Sequence, residues 1–537
     1  MRTIRKAGAV ALIATCATIF GAPSAIAAPT CKTPVAADGH EPACNPNAAS
    51  DWAVPHRNSY EQDSTPYQGP LTASGMTLKH VDVASSGALP FVQFSTKYPG
   101  GGQVGWFSMA SQPDAERVGK VDIGTTHLIN FYDVPLAGNA TPSGAYNVLD
   151  YKNRMIVGKG LNVNIYQDAT PGSSASVVAK THTFHLPESG YCGSDDRIIG
   201  VAFTWTGYVA YATVYGAVGV FPIDTANMTP ENVKATTLTP RSTCTAGNAD
   251  REEISNSIGA DEKGGIYTVT SAAQYKHVWN GSTISQAWRV KVASDGLQGG
   301  VRIGPGSGSS PTLMGTAKND DKLVVITDGQ KVMHYVAMWR DSIPKGWKPV
   351  APGADPRVAC DLRVDFGNSK IAAAQSEQSV AVRGYQAIVL NNSIKNPEKF
   401  AALPGSLRYQ AATLASGDPD QQPFGVERID WDPKAKKCKV VWATQKVSIP
   451  NAIPVISSAS NMVYGIGASK SFWGLHGIDM ATGKSKLWFP TGPISSPYHN
   501  SFYAETEIAT DGTVWTGTFG GIDILKPKKP APALKLK

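Results

Sequence analysis

The sequence predicts an all-β chain folded as a single β-propeller of seven four-stranded blades, with six and eight as the alternatives. Three observations carry this expectation. Fifty-three Gly and thirty-seven Pro in 537 residues, with many Val, Thr and Tyr, describe short strands and frequent turns. Sustained helical periodicity is nearly absent, with "PEKFAAL" near residue 400 a brief exception. Seven segments also repeat one pattern of apolar strand, tight polar turn and alternating strand, and their starts recur at roughly 50 to 75 residues.

Taken in order, Arg2, Arg5 and Lys6, an apolar run and the small-residue end "APSAIAA" read as a secretory signal peptide over residues 1–27. Residues 28–75, rich in Pro, Asn and Ser, read as an irregular leader clipped by a disulfide. The propeller is expected over 76–525, its first blade starting near "GMTLKHVDV" and completed by a strand from the other end of the chain. Such closure leaves no exposed sheet edge. The repeats begin at Val148, Ile198, Ser257, Leu313, Ser379, Val455 and Glu507. Their turns carry Thr-Gly, Lys-Gly-Gly, Arg-Gly and Asp-Gly, residues suited to the positive φ of tight hairpins. Residues 526–537 read as a flexible basic tail.

Beyond the signal peptide six cysteines remain, and six allow fifteen connectivities. Pairing between sequence neighbours is expected: Cys31–Cys44, Cys192–Cys244 and Cys360–Cys438. No CxxC knuckle and no CxxCH haem attachment is present. The net charge of +7 comes from the two ends, which leaves the body near neutral and without a nucleic-acid footprint. No run past the signal peptide is long and apolar enough to span a membrane. A secreted monomer, extracellular or periplasmic, is expected, with an extracellular small molecule or polymer as its partner.

Function in a propeller concentrates at the loops and strand starts around the channel. Polar residues there include Asp195, Asp196, Glu252, Glu253, Asn256, Glu377, Asn451, His499, Asn500 and Glu505. Asp196, Glu253, Asn256, Glu377 and His499 are the candidate ligand-binding set. The first four could supply oxygen ligands to Ca²⁺, which takes six to eight. "GGGQVG" at 100–105 matches a dinucleotide fingerprint formally, but a strand follows it where a helix is needed. "HTFH" puts His182 and His185 on opposite faces of a strand. No GxSxG elbow and no HExxH is present.

"GIDMATGKSKLW" contains Asp479, Thr482, Gly483 and Trp488, close to the pattern Asp-x-x-Thr-Gly-x-x-x-Trp in which a Trp docks between blades. "GVERIDWDPKAKKCKVVW" is a looser copy ending in Trp442. On these residues the chain resembles the quinoprotein-like propeller superfamily, of the pyrroloquinoline quinone and YVTN types, in architecture. Members of it that use the quinone tend to have adjacent cysteines, a catalytic Asp and a calcium site. No adjacent cysteines occur here, and four residues rather than three precede Trp488. An extra residue turns the Trp to the other face of its strand unless a bulge restores it. The favoured expectation is a binding or scaffold module acting through the channel face. The alternatives are a calcium-dependent hydrolase of lactonase type and a quinone-dependent dehydrogenase.

Overall fold

Eight sheets stand around one axis, each built on four strands that succeed one another outward. This computed structural model describes residues 31–32, 34–83, 90–109, 115–135, 146–187, 192, 196–238, 244, 251–296, 302–403 and 405–535. The signal peptide expected at 1–27 and the polar Asp195 lie outside them. Blades 1 to 8 have innermost strands Pro90–Phe94, Asn147–Leu149, Ile198–Phe203, Gly259–Ala260, Thr312–Met314, Ala381–Arg383, Val455–Ser457 and Thr506–Ile508.

The propeller is eight-bladed, not seven-bladed. The uncounted blade is the first, Pro90–Phe94 through Leu128–Pro135. Its first hairpin turns through nine residues, 95–103, including three consecutive glycines, rather than through a two-residue turn. That longer loop hides the repeat. The strand Thr77–Asp82 in "GMTLKHVDV" does not open the first blade. It pairs antiparallel with Gly521–Lys526 as the outermost strand of the last, which closes the ring with both ends of the chain.

Neighbouring blades are joined by one recurring device. Outer strands of blades 1, 2, 4, 5, 6 and 7 each carry a bulge that swings the next residue toward the following blade. Asn130 Oδ1 then accepts from Val178 N at 3.2 Å, and His182 Nε2 meets Met228 O at 3.2 Å. Trp288 Nε1 donates to Arg340 O at 3.1 Å, and Trp442 Nε1 to Met480 O at 2.8 Å. In blade 5 the residue in this place is Cys360, which reaches Cys438 of blade 6 through a disulfide.

The Asp479–Gly483 turn is the floor on which Trp442 docks. Asp479 Oδ1 accepts from the amide and the hydroxyl of Thr482, each at 2.8 Å. Gly483 sits at φ +69°, and a Cβ there would lie 2.6 Å from the Trp442 ring. The bulge at Lys486 puts Leu487, buried, in the place that Trp288 and Trp442 take in their blades, so Trp488 does not dock as the sequence expectation had it; it falls one residue later and pairs with His476 of its own sheet, their rings 4.4 Å apart. Asn280 stands eight residues before Trp288 and accepts from Thr283 N at 2.9 Å, as Asp479 accepts from Thr482. It is a third copy of the motif, concealed by Asn in place of Asp.

All three disulfides join the expected pairs, with Cα–Cα separations of 6.0, 5.2 and 6.0 Å. No helix among the described residues is long and apolar enough to cross a membrane. The helix Gly405–Ala415, between the second and third strands of blade 6, has no counterpart in the sequence expectation.

Candidate functional site

The leader does not hang beside the propeller. Residues 45–65 run across the end of the channel and touch the innermost strand of every blade. Phe94 N donates to Trp52 O, Leu149 N to Ala53 O, Ala260 N to Ser59 O and Leu313 N to Tyr60 O, at 2.6–2.8 Å. Val382 N donates to Gln62 O at 2.8 Å and Ile456 N to Asp63 O at 2.9 Å. Ser59 Oγ reaches Phe203 O at 3.0 Å, and Trp52 Nε1 reaches Ile508 O at 2.9 Å, which completes the circuit. Ser64–Thr65 adds a short parallel strand to blade 7.

Within this segment residues 56–63 form a hook. His56, Arg57, Glu61 and Asp63 all have φ between 47° and 75°, a region that non-glycine residues rarely occupy. Four such residues in eight persist only where the surroundings over-determine the backbone. His56 supplies that determination. Its Nδ1 meets Asp63 Oδ2 at 2.8 Å, and its Nε2 lies 3.2 Å from Ser310 Oγ and 3.5 Å from Glu61. Its backbone N–H donates to Glu505 Oε1 at 2.7 Å. His56, Glu61, Asp63, Glu505 and Glu507 are each no more than 1% exposed.

Burial sets the protonation of this hub. It pulls His56 down, but the charges of Asp63, Glu61 and Glu505 outweigh it and the imidazole is pushed up to about 10. Burial raises Glu505 to about 8 despite the opposing charge of His56. It raises Glu61 and Glu507 well above the usual carboxylate range. An imidazolium among partly neutral carboxylic acids, sealed from solvent, is an anchor for the hook. A second anchor is Arg57, whose guanidinium meets Glu41 Oε2 and Ser64 O at 2.7 and 2.6 Å. Glu41 also pairs with Arg383 of blade 6.

Each residue of the expected ligand set has a partner of its own. Asp196 Oδ2 accepts from Thr213 Oγ1 at 2.8 Å, and its Oδ1 accepts from the amides of Arg197 and Tyr215. Glu253 faces Arg251 at 2.6 Å, and Asn256 Nδ2 donates to Ser307 O at 3.1 Å. Glu377 pairs with Arg302 at 2.7 Å, and burial, only partly offset by that arginine, raises it to about 7. His499 pairs with Asp523 of blade 8 at 2.8 Å. Among the described residues, the His, Cys, Asp and Glu side chains close enough to share one ion are those of His80, His499 and Asp523. Asn451 and Asn500, flagged by the sequence as polar loop residues, each donate to Thr413 O and so fix the inserted helix.

His56, Glu61, Asp63 and Glu507 were not singled out from the sequence. The signal was there: "PHRNSYEQD" crowds charge into the leader, and Glu505 and Glu507 stand two residues apart at the start of an innermost strand.

On the leader face the hook leaves a cavity of about 340 Å³, within the range of small-molecule sites. Glu41, Asp51, Arg57, Tyr60, Tyr151 and Trp205 line it, and the Cys31–Cys44 disulfide forms part of the wall. Trp205 is held by its indole N–H, which donates to Cys44 O at 3.0 Å.

No family model matches the chain. An uncharacterized protein of Archaeoglobus fulgidus is 37% identical over 483 residues, covering 90% of this chain and 88% of that protein. The chain belongs to that protein's family. Among solved structures it is similar to a quinohemoprotein alcohol dehydrogenase of Pseudomonas putida (12% identity, 90% and 82% of the two chains, TM-score 0.51). It is also similar to a quinohemoprotein alcohol dehydrogenase of Comamonas testosteroni (13%, 90% and 81%, TM-score 0.53). A europium-containing methanol dehydrogenase gives 11% identity over 88% and 90% of the chains, with a TM-score of 0.54. At these identities the likeness is one of fold, the quinoprotein type of β-propeller. The residues present do not fit pyrroloquinoline quinone: no two cysteines are adjacent, and the leader lies across the end of the channel, bonded to the innermost strands.

Proposed function

We propose that the protein is an exported binding module that takes a small polar extracellular ligand, or one unit of a polymer, into the leader-face cavity. One observation carries this reading: residues 56–63, buried except for Asn58, are bonded into the end of the channel, while a cavity of about 340 Å³ remains among the leader residues beside them. The cavity combines aromatic walls, Tyr151 and Trp205, with the charged groups Arg57, Glu41 and Asp51. That mixture of apolar surface and a few convergent polar groups suits a compact polar ligand. Three disulfides fit an oxidising compartment. The fold likeness to quinohemoprotein dehydrogenases supports a dehydrogenase only at the level of architecture.

A thermal-shift panel of sugars, amino acids and small carboxylic acids tests the proposal. At a concentration 100 times Kd a ligand adds about 2.7 kcal/mol of stability, enough for a clear rise in Tm. The rise is expected to vanish in Tyr151→Ala and Trp205→Ala, which alter the cavity walls and leave the hub intact. A flat panel, together with dye-linked alcohol oxidation on adding pyrroloquinoline quinone and Ca²⁺, would overturn the proposal in favour of the dehydrogenase.

A further inference from the structure

His80, His499 and Asp523 come from three places that the chain brings together only when the ring closes. His80 lies on the strand Thr77–Asp82 and is the cross-strand partner of Asp523 on Gly521–Lys526. His499 ends the short turn Pro497–His499 between blades 7 and 8. The Nδ1 of His80 lies 2.8 Å from Asp523 Oδ1, and the Nδ1 of His499 lies 2.8 Å from Asp523 Oδ2. Asp523 is fully buried, whereas the two imidazoles reach the surface, with side chains 24% and 17% exposed. Among the described residues both ion-pair partners of this buried carboxylate are imidazoles. A buried charge of this kind is expected to be paired with a cation or to ligate a metal.

We propose that His80, His499 and Asp523 form a site for a divalent transition-metal ion of the zinc class, which fastens the ring closure. The three ligand atoms all lie within 4.8 Å of one another. Opening each contact by roughly half an ångström admits an ion with bonds of about 2.0–2.2 Å. On binding, the rings take the tautomer with the proton on Nε2 and offer Nδ1 to the ion. Two imidazole nitrogens and one carboxylate oxygen suit a borderline ion such as Zn²⁺ and are too few and too nitrogen-rich for Ca²⁺. The rings converge because glycines lie beneath them. A Cβ at Gly521 would sit 2.6 Å from His80 Nε2, and one at Gly492 would sit 2.1 Å from His499 Cδ2. Both imidazoles reach solvent, so water is at hand for the fourth position of a tetrahedron. Bound there, the ion would tie the strand that starts the propeller to the strand that ends it, a link that exists in the folded ring and not in the unfolded chain.

The full chain, stripped with EDTA, is titrated with ZnCl₂ by calorimetry and with CoCl₂ by visible absorption. One equivalent of Zn²⁺ is expected, with a Co²⁺ spectrum of tetrahedral type and a rise in Tm. In His499→Ala, which leaves the closing strand untouched, affinity should fall by more than about 100-fold, the upper end for loss of a mere outer-shell partner. His80→Ala should behave alike, and where that variant fails to fold, the Co²⁺ spectrum and His499→Ala decide. Absence of stoichiometric Zn²⁺ binding, binding unchanged in His499→Ala, or Ca²⁺ bound as tightly as Zn²⁺ would each overturn the proposal.

Discussion

Replacing His56 with Ala is expected to destabilise the protein by about 3–5 kcal/mol, because removing one partner of a buried ion pair leaves the other uncompensated. The residue left behind is Asp63, 2.8 Å away and buried, with Glu61 and Glu505 beside it. The same hub gives stability a pH slope. His56 titrates near 10 in the fold against 6.5 in the unfolded chain, and Glu505 near 8 against 4.5. Both raised values mean that the fold binds more protons than the unfolded chain. Their contribution is therefore complete at low pH, below the unfolded values, and is lost as pH climbs through the folded ones. Glu377, raised from 4.5 to about 7, acts in the same sense. The urea midpoint should accordingly fall as pH rises from about 5, through the Glu505 window of 4.5 to 8 and then the His56 window of 6.5 to 10. In His56→Ala the fall above neutrality due to the imidazole should disappear. A midpoint that stays flat across this range, or a His56→Ala loss below about 1 kcal/mol, the average for an arbitrary substitution, would contradict the role given to the hub.

The second large effect concerns the seam between blades 5 and 6. Removing Cys360–Cys438 by paired Ser substitutions should cost about 4 kcal/mol, since the bridge closes a long loop, with a sequence separation of 78. The loss should be visible locally as well. Trp339 of blade 5 and Trp431 of blade 6 meet edge to face with ring centroids 5.5 Å apart, directly across this seam. Their near-UV circular dichroism should weaken in the double variant before the global transition. Reduction of Cys31–Cys44, with a separation of 13, should leave that signal unchanged. Equal midpoints with and without Cys360–Cys438 would show that packing alone holds the seam.

Much of what is encoded locally was legible in the sequence. Hairpin turns such as Asp511-Gly512 and Lys263-Gly264 mark seven blades, because a residue at positive φ between alternating strands has few other uses. The neighbour pairing of cysteines follows from blades that contact only their neighbours. Blade 1 was missed because its turn is a nine-residue loop. The copy of the docking motif at Trp288 was missed because Asn280 performs the turn-capping that Asp479 performs later. The hub is a different case. His56 meets Ser310 and Glu505 across 254 and 449 residues of chain, and no local pattern encodes such distances. The leader's left-handed residues are legible only afterwards, since His, Arg, Glu and Asp at positive φ are dictated by the channel around them. The helix Gly405–Ala415 lacks a strong apolar stripe and carries no acidic residue in its first turn, so neither periodicity nor a start signal announced it.

The leader is an integral plug, bonded to the innermost strand of every blade. Hydrogen exchange of the segment spanning residues 52–65 tests it most directly. The plug predicts protection comparable to that of the innermost strands, with the amides of Ala260, Leu313, Val382 and Ile456 exchanging slowly because leader carbonyls accept from them. Exchange of residues 52–65 at the rate of exposed surface loops, with those four amides unprotected, would contradict the account.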